Sequence, residues 1–217
     1  MITNKNLVIF DNDGVIVDSE SLSCGALNTL FQQEFGIDIG NDFSEVIGTS
    51  DRYAIEYYGS NFSLKIDDID RLISLKQSIY LSSAGERLIS FPYLLQVLEK
   101  CILNEIKMVV ASSGSLQKIK FSLSQVNFNQ FFSRIFSSEQ VKRGKPEPDL
   151  FNLVAEQMGY TPNDCIIIED SVNGIIAGKR AKMTVIGFTS TFNMEKLYNA
   201  GADHVIQSYS ELLDLIS

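Results

Sequence analysis

Leu7-Val8-Ile9-Phe10-Asp11-Asn12-Asp13-Gly14 is the stretch on which the fold turns. Four consecutive apolar residues show no alternation with polar ones, the pattern of a strand buried on both faces of a parallel sheet. The run then breaks at two carboxylates around an amide, followed by a glycine, all turn-forming residue types. The same order recurs downstream. Residues 107–111 run into Ser112-Ser113-Gly114, and residues 165–168 run into Glu169-Asp170-Ser171. Shorter apolar runs at 135–136, 184–187 and His204–Ile206 bring the candidate strands to six. Helical patterns separate them at 92–100, Leu116–Gln125, Asp149–Met158, 173–180, Met194–Asn199 and 211–216. Pro92 suits a first helical position and Gly159 a stop. Strands and helices alternating in this way predict a doubly wound α/β domain with a parallel, Rossmann-like sheet.

One segment lacks the alternation. Between Asp18 and Arg87 there is no strand-like run, only helical faces such as Leu22, Ala26, Leu27, Leu30, Phe31 and Phe35. The sequence therefore predicts an all-helical cap at residues 18–87, inserted after the first strand, and a core from residues 1–17 and 88–217. Residues 20–88 carry 5 basic and 11 acidic side chains, so most of the chain's net charge of −9 lies in the insert.

The length of 217 residues fits one domain plus a smaller appendage, and a 45% hydrophobic content supplies a sizeable core. A pI near 4.6 excludes a basic, counterion-releasing nucleic-acid surface and adhesion to anionic membranes. Cys24, Cys101 and Cys165 are an odd, scattered set, which indicates neither a disulfide framework nor a zinc site. The expectation is a soluble, cytoplasmic monomer.

In an open parallel sheet the carboxyl ends of the strands form the ligand crevice. Asp11, Asp13, Ser112, Glu169 and Asp170 all follow strands, and Lys145 lies in the loop Gly144-Lys145-Pro146-Glu147-Pro148-Asp149. Converging carboxylates repel by about 4 kcal/mol per pair at ~4 Å and an effective dielectric of ~20. A hard divalent cation compensates, and oxygen ligands without paired His or Cys favour Mg²⁺. With the cation and Lys145 present, a phosphate can enter, held by Ser112, Lys145 and main-chain N–H groups of the Ser113–Gly114 turn.

These residues resemble the haloacid dehalogenase superfamily of phosphohydrolases over essentially the whole chain. Asp11–Gly14 is similar to its first motif, Ser112 to its second, Lys145 before Pro-Glu-Pro-Asp to its third, and Glu169–Gly174 to its fourth. The insert is similar to the cap of the β-phosphoglucomutase-like and sugar-phosphatase branches. The resemblance implies Asp11 as nucleophile and Asp13 as general acid and base. It implies Ser112, Ser113 and Lys145 as phosphate ligands. Asp11, Asp13 (through its main-chain carbonyl), Glu169 and Asp170 would hold Mg²⁺. Arg52, in a segment where related caps carry a specificity loop, is the cap residue expected to touch substrate. Two positions depart from the family pattern: Tyr93 and Lys182 stand where glycine is usual.

Alone, each motif has a plainer reading: Asp11–Gly14 an ordinary turn, Ser112 a helix cap, Lys145 a solvated lysine. Asp149 reads as a helix cap and His204 as structural. Taken together, they predict a Mg²⁺-dependent phosphatase acting on a small phosphorylated metabolite, a sugar phosphate, through an aspartyl phosphate. The alternatives are a β-phosphoglucomutase-type mutase and a non-catalytic phosphate-binding protein. The family's mutases carry a cap histidine twelve residues after the nucleophile, where this chain has Ser23. The resemblance therefore favours hydrolysis.

Overall fold

The structure is a computed structural model that describes residues 6–216, without the side chains of Glu86 and Leu215. Residues 1–5 and 217 of the expected core lie outside the described residues. In chain order the elements are β1 (Leu7–Phe10), β2 (Val17–Asp18), α1 (Glu20–Phe35), α2 (Asp51–Asn61), α3 (Ile69–Ala84) and β3 (Ile89–Ser90). They continue with α4 (Leu94–Leu103), β4 (Lys107–Ser112), α5 (Leu116–Gln125), β5 (Arg134–Ser137), α6 (Asp149–Met158) and β6 (Cys165–Glu169). The last are α7 (Val172–Arg180), β7 (Thr184–Phe188), α8 (Met194–Asn199), β8 (His204–Ile206) and α9 (Tyr209–Leu215).

Six strands form one parallel sheet in the order β5-β4-β1-β6-β7-β8. β1 is its centre. Leu7 pairs with Lys107 on one side and Cys165 on the other, and Phe10 pairs with Val110 and Ile168. All four β1 residues are buried, as an unalternating apolar run requires when both faces are covered. Leu7 and Ile9 pack with Val109, Phe136, Phe151, Val154 and Ile167 on one face. Phe10, of opposite parity, meets the Phe132 ring edge-on. The strand order reverses beside β1, the position at which open α/β sheets form their crevice.

The chain divides into two compact units. One runs to Asp18 and resumes at Ile89; the other is Ser19–Leu88. The second unit contains three α-helices, whose core joins Leu27, Leu30 and Phe31 of α1 to Ile55 and Tyr58 of α2 and Leu72 of α3. Gly36, at φ 69, closes α1 in the left-handed conformation, its N–H donating to the Gln32 carbonyl and the next N–H, of Ile37, to the Phe31 carbonyl.

Three local details differ from expectation. The helix expected at 92–100 spans Leu94–Leu103, because Tyr93 sits at φ 65 and cannot be helical. Pro92 consequently lies outside the helix, and the buried face continues to Cys101. Asp149 is the first helical residue of α6, not its cap, and its two oxygens accept from Nε and Nη2 of Arg143 at 3.1 and 2.8 Å. A two-residue antiparallel ribbon, β2 with β3, also joins the ends of the first unit on either side of the insertion. Pairs that short leave no sequence periodicity to read. Tyr93 and Lys182 (φ 60), the two departures from glycine, both occupy the left-handed region. An L-residue there costs roughly 1–2 kcal/mol.

Candidate active site

β1 delivers Asp11 at its carboxyl end, where the Asp11 N–H still bonds the Ile168 carbonyl of β6 at 3.1 Å. The chain then turns tightly. Ile16 and Val17 N–H groups both bond the Asn12 carbonyl, and Gly14 (φ 72) bonds Val17. Two side chains from the far end of the chain brace this turn: Ser190 Oγ donates to the Gly14 carbonyl, and Tyr209 Oη donates to Val15 O at 2.8 Å. Glycine is required at position 14 twice over, since a Cβ would collide with the Asp170 carboxylate.

Lys145 organises the centre. Its ammonium donates to Asp11 Oδ1 at 2.8 Å, Glu169 Oε1 at 2.5 Å and the Ala111 carbonyl at 3.2 Å. All three ammonium donors are thereby used. The side chain is 4% exposed, against 10% for Asp11 and 1% for Glu169. Burial disfavours the Lys145 charge, but Asp11 and Glu169 outweigh it and hold the ammonium above its usual range. Burial pushes the Asp11 carboxyl up, with Lys145 opposing and Glu169 reinforcing the rise. Glu169 Oε2 accepts from the Ser171 N–H and hydroxyl, both at 2.9 Å. Gly174 lies against the same carboxylate, leaving no room there for a Cβ.

The second group lies at the end of β4. Ser112 is buried, and its hydroxyl accepts from the Gly114 N–H at 3.3 Å. Ser113 is exposed. Its carbonyl accepts from Ser138 Oγ at 2.7 Å, while Ser137 Oγ donates to the Gly114 carbonyl at 2.6 Å. The turn that follows β4 is thus tied to β5.

Asp11, Glu169 and Asp170 each offer an oxygen within 4.8 Å of the others, and all three are buried. Three carboxylates against one ammonium leave excess buried negative charge, and the donors are all hard oxygens. That set fits Mg²⁺. The Asp13 carboxyl is not one of the three; its Oδ1 pairs with Lys118 Nζ at 2.8 Å. The structure thus brings together Asp11, Lys145, Glu169 and Asp170, with Asp13 on the turn that follows Asp11 beyond β1 and Ser112 at the end of the adjacent β4. Arg52 belongs to the second unit, where it pairs with Asp70 and, at 3.9 Å, with Glu56. Sequence reasoning missed Ser137, Ser138, Thr191 (which donates to Asp170 Oδ2) and Lys118. Hydroxyls in loops carry no pattern; Lys118 had one faint signal, a cation just inside the helix after Ser112-Ser113-Gly114.

A parallel six-stranded sheet with this polar cluster on its central strands defines a class of hydrolase. The chain belongs to the haloacid dehalogenase-like hydrolase family, which it matches over residues 8–188. It is 30% identical to the 6-phosphogluconate phosphatase of Escherichia coli, over 83% of this chain and 81% of that protein. It is 31% identical to the chloroplastic SUPPRESSOR OF QUENCHING 1 protein of Arabidopsis thaliana over 89% of this chain, but spans only 19% of that relative's length. Among solved structures, a haloacid dehalogenase-like protein from Agrobacterium tumefaciens superposes with a TM-score of 0.79 at 26% identity, covering 98% of this chain and 97% of that one.

Proposed function

We propose that this phosphoric monoester hydrolase is a Mg²⁺-dependent phosphatase of a small phosphorylated metabolite, a sugar phosphate, working through an aspartyl phosphate. The observation that carries the reading is the buried Lys145 ammonium shared between Asp11 and Glu169, with Asp170 completing an all-oxygen set. Asp11 attacks phosphorus and takes the phosphoryl group as the bond to the leaving oxygen breaks. Asp13 gives its proton to that oxygen, then takes one from the water that hydrolyses the acyl phosphate. Ser112, Lys145 and the main-chain N–H of Ser113 hold the transferring phosphoryl oxygens. Asp11, Glu169, Asp170 and the Asp13 carbonyl would hold Mg²⁺, which offsets charge on the phosphate and carboxylates. Arg52 is assigned to the leaving group. The name of the Escherichia coli relative supports a sugar-phosphate-like substrate. The net charge of −9 argues for a small solute over nucleic acid or an anionic membrane, and the reading is of a cytoplasmic monomer.

The experiment is a turnover panel of phosphorylated metabolites with Mg²⁺ and with EDTA. Hydrolysis that EDTA abolishes and Mg²⁺ restores is expected; full activity in a metal-free preparation would contradict the assignment of Glu169 and Asp170.

A mutase is the competing chemistry. Ser23 accepts from Lys76 Nζ at 2.8 Å, and Lys76 also donates to Asp51, so the second unit holds a buried lysine beside that position. An ammonium has no lone pair with which to accept a proton, so it does not replace an imidazole. Incubated with β-glucose 1-phosphate, Mg²⁺ and catalytic glucose 1,6-bisphosphate, the enzyme should release phosphate faster than it forms glucose 6-phosphate.

A further inference from the structure

Lys118 stands outside every motif read from the sequence, yet it pairs with Asp13. It lies in the first turn of α5, where its N–H donates to Ser115 Oγ at 3.2 Å in the helix cap. From there the side chain runs back across the Ser112–Gly114 turn. A Cβ placed on Gly114 would stand 3.5 Å from Lys118 Cδ and 3.7 Å from Asp13 Oδ2, so both groups bracket one glycine. The ammonium reaches Asp13 Oδ1 at 2.8 Å, with the two side chains 17% and 22% exposed.

We propose that Lys118 is a positioning residue for proton transfer by Asp13. The inference rests on the phosphatase reading and deepens it. A carboxyl that serves first as acid and then as base must stay aimed at one oxygen through both steps, and misplacement by about 1 Å can cost ~100-fold. Asp13 sits on a turn, and the ion pair with Lys118 fixes the direction of its carboxyl. In the acid step that carboxyl carries the proton. As the ester P–O bond breaks and the Asp11–phosphorus bond forms, that proton passes to the leaving oxygen. In the second step water attacks phosphorus, its proton returns to the Asp13 carboxyl, and the Asp11–phosphorus bond breaks. Lys118 keeps its protons throughout and touches no reacting atom.

The test compares wild type, Lys118→Met and Lys118→Arg on p-nitrophenyl phosphate and phenyl phosphate with Mg²⁺. Phenolate is the poorer leaving group and depends more on the acid. Lys118→Met should lower kcat on phenyl phosphate by about 10- to 100-fold and on p-nitrophenyl phosphate several-fold less, with KM little changed. Lys118→Arg should recover most of the loss. Equal losses on both esters, a rise in KM with kcat intact, or no loss would each overturn the assignment, as would an arginine variant no better than methionine. A wild-type enzyme that hydrolyses neither ester would instead contradict the phosphatase reading, and the Lys118 role with it. Circular dichroism melts separate a folding defect, which would slow both esters alike, from a positioning defect.

Discussion

At the scale of single residues, Asn12 shows how closely the surroundings of Asp11 are packed. It sits between the two aspartates, fully buried, and neither its amide nitrogen nor its oxygen has a hydrogen-bond partner. An unsatisfied buried amide costs about 1–3 kcal/mol. Asn12→Leu should therefore stabilise the protein by on the order of 1 kcal/mol, read as a higher urea midpoint with an unchanged slope; a lower midpoint would show that the amide is needed in the fold. Three of the four motifs were legible as residues because each closes a strand, and the third because Lys145 precedes Pro-Glu-Pro-Asp. Their partners were not: Thr191 on Asp170 and Tyr209 on Val15 join positions that only the fold brings together.

At the scale of elements, the strands were legible to within one residue at most ends, because buried parallel strands write themselves as apolar runs. Helix starts were less so. Pro92 reads as a first helical residue, but the left-handed Tyr93 delays α4 to Leu94. Tyr93 is 51% exposed and Lys182 is exposed, so neither side chain gains from burial what its backbone loses. Glycine at either position removes roughly 1–2 kcal/mol of strain and returns about 0.5–1 kcal/mol through the freer unfolded chain. Lys182→Gly should thus gain on the order of 0.5 kcal/mol. No change or a loss on chemical denaturation would show that the Lys182 side chain contributes to folding.

At the scale of the whole molecule, the insert was legible as a break in the β–α alternation, while the ribbon of β2 and β3 beside it was too short to leave a signal. The three cysteines are all buried thiols outside any disulfide. Burial, aided by Glu20 and opposed by Lys76, pushes the Cys24 thiol from 9.0 up to about 12; burial alone does the same for Cys101. The fold therefore favours the protonated thiols. Their contribution is complete below pH 9, where both states keep the proton. It is lost as pH climbs from 9 toward 12, because the unfolded chain ionises first. Native protein at pH 8 should not react with a disulfide reagent, whereas denatured protein should release three thiol equivalents. Rapid labelling of the native chain would contradict the packing around Cys24 and Cys101.

The central claim is that Asp11 carries the phosphoryl group. Its carboxyl is buried against Lys145 at the end of the central strand, with Glu169 and Asp170 beside it. The direct measurement is an acid quench within a single turnover of a hydrolysed ester and Mg²⁺, followed by peptide mass spectrometry. One phosphoryl group on the peptide containing Asp11 is predicted, more abundant in Asp13→Asn on p-nitrophenyl phosphate and absent in Asp11→Asn, which should also lose turnover while keeping its fold. Phosphate release with no labelled protein at any time, or a label on another residue, would contradict the account.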